Sequence, residues 1–485
     1  MSFVNSLEFV VGFIGTGATR AISAPLNPAY TTPEVEFYLK DTNPVLLLLP
    51  QISDLPPGSG AAAALQAAIN CGVRTGELVI EGNGRVSVKV IHTGRSTKSA
   101  KRHEEKISPK PSDIALVLHT SGTTGRPKSV PLSHHNLLTT CGNVVRTYDL
   151  APTDRGYLVM PLFHVHGLLA GLLTPLSKGA SVVVPPKFSA AHFWKDFVAW
   201  GCNWYTAVPT IHMILLNTPV PNPLPKIKFI RSCSASLPPV IFERLESTFH
   251  APVLEAYAMT EAAHQISSNV PATRLAGTVG LGIGTEISIR DDRGREVPQG
   301  AEGEVCVRGE NVTQGYWAND AANAEAFWEG RWFRTGDQGL ILPTPPHSLR
   351  LTGRIKELIN RGGEKISPLE IDAALLALKS VSVKEAVAFG VEDPKYGEIV
   401  WAGVVLADES VYRSKAKREA AEKELKRELE GKIAKFKIPE RIIITPSIPK
   451  TATGKIQRRH IKVELVKLAR EQGEHVKGDW PKAKL

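Results

Sequence analysis

The first half of the chain alternates short apolar, β-rich runs with longer segments of helix-like patterning. Val45 to Leu49, Ile114 to His119, Tyr157 to Met160, Ser181 to Val184 and Phe229 to Arg231 are the clearest runs. That alternation predicts parallel α/β layers. From Gly277 to Asp337 the texture changes to glycine-punctuated short strands, Glu286 to Arg290 and Gly303 to Arg308 among them, which predicts a small β-barrel or sheet. The charged, glycine-flanked stretch Gly353 to Arg361 reads as a hinge, and the chain beyond it reads as a small mobile α+β unit with one long helix over Ser414 to Lys432. Glu419 with Lys423, Glu422 with Lys426 and Glu428 with Lys432 form i,i+4 pairs along that helix, expected on a solvated face. The expected division is a large N-terminal domain over 1–353, a C-terminal domain over 354–476 and a tail over 477–485.

Composition narrows the class. A chain of 485 residues exceeds a single-core domain of roughly 100 to 200 residues, and 42% apolar with 22% charged residues suits a globular protein. Apolar runs such as Val45 to Leu49 fall far short of the ~20 residues of a spanning helix, so no membrane span is expected. Residues 9–24 are apolar, but Glu8 stands at their start and no basic residue precedes them, so they read as core and not as a leader. Five cysteines lie far apart without metal-ligand spacing, which suits a reducing setting.

The net charge of +10 is local. Residues 95–110 hold six Lys/Arg against two Glu, residues 450–485 hold ten against four Asp/Glu, and the remainder balances. Two short basic segments without interleaved aromatics argue against nucleic acid, whereas the second suits anionic ligands. The terminal Ala483-Lys484-Leu485 is one step from the Ser-Lys-Leu address read by the peroxisomal import receptor. A peroxisomal matrix location is the expectation, with the cytoplasm as the alternative.

The most informative stretch is His119-Thr120-Ser121-Gly122-Thr123-Thr124-Gly125-Arg126-Pro127-Lys128. Its glycines let backbone N–H groups approach phosphate oxygens, its hydroxyls add donors and Lys128 adds a mobile charge. Arg126 and Pro127 separate Gly125 from Lys128, so this is not a Walker loop. By composition alone it could equally be a surface turn.

Further motifs occur in order: Met160-Pro161-Leu162-Phe163-His164-Val165-His166-Gly167, Glu255-Ala256-Tyr257-Ala258-Met259-Thr260-Glu261, Arg334-Thr335-Gly336-Asp337, Gly353-Arg354-Ile355-Lys356-Glu357, Arg361-Gly362-Gly363-Glu364 and Thr451-Ala452-Thr453-Gly454-Lys455. Together they resemble the AMP-forming adenylate superfamily of acyl-CoA synthetases, luciferases and peptide-synthetase adenylation domains, over nearly the whole chain. Arg231-Ser232-Cys233-Ser234-Ala235-Ser236-Leu237 and Ala262-Ala263-His264-Gln265 look most like the plant and fungal peroxisomal CoA synthetases that act on oxalate.

The resemblance implies roles. ATP, Mg²⁺ and coenzyme A would be required, with a small carboxylic acid as substrate. Thr120, Ser121, Gly122, Thr123, Thr124, Gly125 and Lys128 would cradle phosphates, with Thr260 bonding them and Glu261 holding Mg²⁺ as a hard oxygen ligand. Tyr257, within Glu255-Ala256-Tyr257, would stack on adenine, and Ser234, Ala235 and Ser236 would border nucleotide and acyl group. Asp337 and Arg354 would grip the ribose. Lys455 would bridge the attacking carboxylate and the α-phosphate. Lys356 would be the hinge, Gly362 and Gly363 would admit pantetheine, and His164 would gate its tunnel. A second substrate carboxylate needs donors, for which Ser234, His264 and His212 are candidates.

Two departures stand out. Met1 begins almost inside the region where relatives carry several dozen further residues, which predicts exposed apolar surface. Leu340 to Ser348 holds three prolines where an acidic, glycine-aromatic hairpin is usual, which predicts a distorted turn after Asp337. The expected enzyme is a carboxylate–CoA ligase acting on oxalate. A fatty-acyl or coumarate-type ligase and a non-catalytic nucleotide-binding homologue are the alternatives.

Overall fold

A computed structural model of the chain describes residues 1–52, 59–94, 108–120, 127–450, 456 and 458–471, with the side chain of residue 459 excepted. At its centre is a seven-stranded sheet. Its order runs Ser181–Val183, Arg155–Leu158, Trp204–Ala207, Phe229–Ser232, Val253–Met259, His264–Ser268, Leu281–Gly282. The first five are mutually parallel, and the last two run antiparallel to their neighbours. The parallel strands are nearly continuous apolar runs because helices cover them: Phe193 and Phe197 of the helix Ala190–Ala199 pack with Tyr205 and Ile230.

Two expectations change here. Ile114–Thr120 is not part of the parallel layer but pairs antiparallel with Lys128–Ser133 as a separate hairpin. The strand expected over Tyr157 to Met160 ends at Leu158, after which the Met160 carbonyl accepts from Asn5 Nδ2 at 3.0 Å. Near the N-terminus, Leu47–Leu49, Thr75–Ile80 and Val86–His92 form a three-stranded sheet. Phe3, Phe9 and Phe13 bury against Leu78 and Leu116, while Val4, Leu7 and Ile14 stay exposed.

The glycine-punctuated region is a five-stranded antiparallel sheet of Glu286–Arg290, Gly303–Arg308, Phe327–Trp328, Trp332–Ile341 and Leu349–Arg354. The prolines do not break it. The last two strands stay paired from Asp337↔Arg354 to Ile341↔Leu349, with one register shift at Gln338/Gly339, and the prolines fall in the turn between them, which the Leu342 N–H closes onto Ser348 O at 3.0 Å.

After the short turn Ile355–Glu357 comes a second mixed unit. Its sheet contains Glu364–Ile366, Ile359–Arg361, Gly397–Leu406 and Val383–Asp393, with Arg441–Ile444 parallel to Gly397–Leu406. The long helix spans Lys415–Leu429 and is not wholly solvated: Leu425 and Leu429 are buried, and Glu422 accepts from the Ile442 N–H at 3.0 Å while pairing with Lys426 at 2.7 Å.

Helix Arg458–Glu471 is fastened to this unit by a buried ion pair. Arg458 donates to Asp372 at 2.6 Å and to Ala388 O at 3.0 Å, and lies 3.4 Å from Glu357 in the connecting turn. Removing one partner of such a pair leaves an uncompensated buried charge. Arg458→Met is therefore expected to lower the unfolding free energy by about 3–5 kcal/mol, readable by urea titration of the purified chain.

Candidate active site

The turn that joins Val253–Met259 to His264–Ser268 builds one wall of the site. Thr260–Ala262 form a single 3-10 turn, then Ala263 (φ 47°) and His264 (φ 100°) adopt left-handed backbone that non-glycine residues seldom accept. Neighbours hold the turn there. Asn311 Nδ2 donates to Ala262 O at 2.9 Å and Gln265 O at 3.0 Å, and the Thr313 N–H donates to Glu261 O at 2.7 Å.

The turn carries Glu261 inward. Its Oε1 accepts from Tyr316 Oη at 3.0 Å, and the Lys128 ammonium sits 4.6 Å from the centre of the Tyr316 ring. Burial pushes the Glu261 carboxyl up from its ordinary value, against the lowering effects of Tyr316, Arg354 and Lys128. Thr260, Glu261 and Lys128 are thus gathered at one place. The hairpin bearing Thr120 and Lys128 is pinned one residue pair from that end, where His119 Nε2, Ser129 Oγ and Asp41 Oδ2 lie 2.8–2.9 Å apart. Residues 121–126, which include Ser121, Gly122, Thr123, Thr124 and Gly125, lie outside the described residues.

A second group ties the two sheets together. Tyr257 Oη donates to Asp337 Oδ2 at 2.6 Å, and Arg354 Nε donates to Asp337 Oδ1 at 2.9 Å from the directly opposed strand position. Burial, then Asp337, raises the Tyr257 phenol well above its usual value, so it remains a donor. Glu304 supports the turn before Asp337, pairing with Arg334 at 2.9 Å and accepting from the Gly336 N–H at 3.1 Å.

The third group lies at the strand end Phe229–Ser232. Ser234, half-buried at φ 75°, begins a turn through the exposed Ala235 and Ser236. Buried Glu255 secures that turn, accepting from the Leu237 N–H at 2.8 Å, and Ala256 beside it is also buried. His166 Nδ1 is 3.0 Å from Ser234 Oγ, and His166 Nε2 is 2.6 Å from Thr206 Oγ1. The His264 ring stacks on His166 at 5.3 Å and 23°. His166 is placed by a π-helical turn, His166–Leu173, which rests against Pro161; a Cβ at Gly167 would collide with the Pro161 carbonyl.

Motif position gave His164 the pantetheine gate and offered His212 for the acyl group, and assigned no role to His166. His166 is the histidine that reaches Ser234, whereas His164 is half-buried beside Phe163. His212 is fully buried, 3.3 Å from Tyr205 Oη, and burial lowers its imidazole to about 3, so it is a neutral core residue. Arg231 went unassigned. It is fully buried and donates to Tyr148 Oη (2.7 Å), Thr206 Oγ1 (3.2 Å) and Gln265 Oε1 (3.3 Å), with Nη1 3.4 Å from His166 Nε2. The available signal was an arginine inside an apolar strand, since such a cation is rarely buried without purpose.

Toward the second unit, Lys356 is exposed in the turn Ile355–Glu357. Gly362 and Gly363, both at positive φ, form the tip between Ile359–Arg361 and Glu364–Ile366. Lys455 and the tail from 472 to 485, with Ala483-Lys484-Leu485, lie outside the described residues.

A cation beside a buried carboxylate, a sheet-spanning aspartate and a polar cluster follow one another in the order that suits an adenylate-forming enzyme. The AMP-binding enzyme family matches residues 2–317, and the AMP-binding enzyme C-terminal domain matches residues 370–455. The chain belongs to that family, as an acid–thiol ligase of the AMP-forming acyl-CoA synthetase kind. It is 45% identical over 493 residues to the oxalate–CoA ligase of Saccharomyces cerevisiae, covering 98% of this chain and 88% of the relative. The Arabidopsis thaliana oxalate–CoA ligase is 45% identical, covering 95% and 86%. ATP-bound MatB from Rhodopseudomonas palustris superposes with a TM-score of 0.81 at 26% identity, covering 96% of this chain and 87% of that one.

Burial raises the Glu255 carboxyl from 4.5 to about 8. Between those values the folded chain holds a proton that the unfolded chain releases, so stability is greatest at low pH and falls as pH rises toward about 8. Glu255→Gln keeps an acceptor for the Leu237 N–H and stays neutral. Its melting temperature is expected to lack this decline, so that the wild type loses ground to it as pH rises; parallel curves from 4.5 to about 8 would refute the assignment.

Proposed function

We propose that this chain activates oxalate with ATP and transfers the oxalyl group to coenzyme A. The observation that supports this reading is the character of the acyl pocket, where Ser234, His166 and His264 gather above a buried arginine in place of an apolar tunnel. A second carboxylate demands such donors, whereas a fatty acyl chain would be repelled by them. The names borne by the yeast and plant relatives agree with it.

In the first half-reaction a carboxylate oxygen attacks the α-phosphorus, and the bond to pyrophosphate breaks. Lys128, with the glycine-rich loop, steadies the leaving phosphates. Thr260 bonds them, and Asp337 and Arg354 receive the ribose beside Tyr257. Buried Glu261 is a fitting hard donor for Mg²⁺, which when bound would neutralise phosphate charge. Lys455 bridges the two reacting anions and offsets charge developing on the α-phosphate. In the second half-reaction the C-terminal unit turns about Lys356, Gly362 and Gly363 line the pantetheine path with His164 at its mouth, the thiolate sulfur attacks the acyl carbon and AMP leaves.

The purified chain with ATP, Mg²⁺ and CoA is expected to release AMP with oxalate and not with a medium-chain fatty acid or without acid. Turnover on the fatty acid instead would overturn the oxalate assignment, and folded protein inactive with every acid would favour a non-catalytic homologue. Lys455→Ala is expected to slow adenylation by about a hundred- to a thousandfold while keeping most thioester formation from supplied oxalyl-adenylate; equal loss in both assays would remove that role.

A further inference from the structure

Arg231 is a permanent cation buried without a carboxylate partner among the described residues, and its hydrogen-bond partners are all neutral donors or acceptors. Burying such a charge is costly, so its surroundings are informative. A guanidinium can only donate. Thr206 Oγ1 therefore accepts from Arg231 Nη1 at 3.2 Å, and its own hydrogen is available for His166 Nε2 at 2.6 Å. Arg231 Nη1 also points at the same ring nitrogen from 3.4 Å. Two donors converge on Nε2, which must then present its lone pair.

The ring proton accordingly sits on Nδ1, where it is donated to Ser234 Oγ at 3.0 Å. With its oxygen already accepting, the Ser234 hydroxyl can donate its hydrogen onward, since no acceptor among the described residues takes it. The direction of every bond in this chain of contacts is set by the one group in it that cannot accept.

We propose that Arg231 is a positioning residue which, through Thr206 and His166, fixes Ser234 as a hydrogen-bond donor to the second carboxylate of a small dicarboxylic acid. This rests on the oxalate reading of the acyl pocket. It adds a reason for the buried cation: the relay orients the donor, and the positive charge beneath the pocket favours a dianion over a monoanion of the same size. Tyr148 and Gln265 hold the guanidinium plane, with Tyr148 Oη also 2.7 Å from Ser268 Oγ.

The test uses the full chain and ATP–pyrophosphate exchange, with oxalate compared with glyoxylate, which has one carboxylate. Thr206→Val keeps the side-chain volume and the arginine but removes the link; Thr206→Ser restores it. A lost hydrogen bond to a charged group predicts a KM for oxalate raised about tenfold or more in Thr206→Val, with kcat and the glyoxylate kinetics within about twofold of wild type. Thr206→Ser should behave as wild type. Arg231→Lys, which retains charge but loses the planar fork, should lose oxalate preference in the same direction.

Equal losses on both acids, or an unchanged oxalate KM in Thr206→Val, would overturn the relay. Thr206→Ser as poor as Thr206→Val would also overturn it. If the wild type exchanges with other acids but not oxalate, the oxalate reading itself fails; if wild type prefers oxalate and Thr206→Val keeps that preference, only the relay does.

Discussion

The hydrogen bonds from Tyr257 and Arg354 onto the Asp337 carboxylate are the joint on which the rest of the site depends. Tyr257 belongs to the seven-stranded sheet, Asp337 and Arg354 to the antiparallel sheet, and the turn leading to the C-terminal unit begins one residue later. A single buried carboxylate thus sets the distance between two layers and marks the point from which a third departs. Its contact with exposed Arg354 contributes modestly to stability by itself, but it fixes both groups side by side at the end of the sheet. The geometry is maintained by backbone pairing on one side and by a phenol kept protonated on the other.

Charge is distributed in two zones. Near Lys128 a cation, the Tyr316 ring and buried Glu261 lie together, so that opposite charges share one partly buried place. Near Ser234 lies a cation with no acid beside it among the described residues. Asn311 is common to the support of both zones, because it holds the carbonyls of the turn that sends Glu261 one way and His264 the other. The left-handed backbone at Ala263 and His264 is what permits nearby residues of one turn to diverge so sharply.

The sequence made the parallel strands and the motif order legible because apolar runs and glycine-rich turns are local signals. Phe229 to Arg231 and Glu286 to Arg290 fell close to the strands observed. The antiparallel status of Ile114–Thr120 was not legible, since a buried strand reads alike whichever neighbour it takes. Prolines between Leu342 and Ser348 suggested distortion, yet they occupy a turn in which no ladder donor is needed. Ser234 and His264 could be named from motif position, whereas the contact of His166 with Ser234 joins residues 68 apart and shows in no local pattern. Arg231 was missed because its partners come from four other elements, a convergence no local pattern reports.

That convergence constrains how this interior could change. Arg231, Tyr148, Thr206, His166 and Gln265 satisfy one another, so substituting any one by an apolar residue strands the others in a dry interior. Single apolar replacements each cost stability even when the completed set would pack well. The cluster is therefore an epistatic block: sequences that retain the arginine vary at its rim, and an apolar interior here requires the whole cluster to be replaced together.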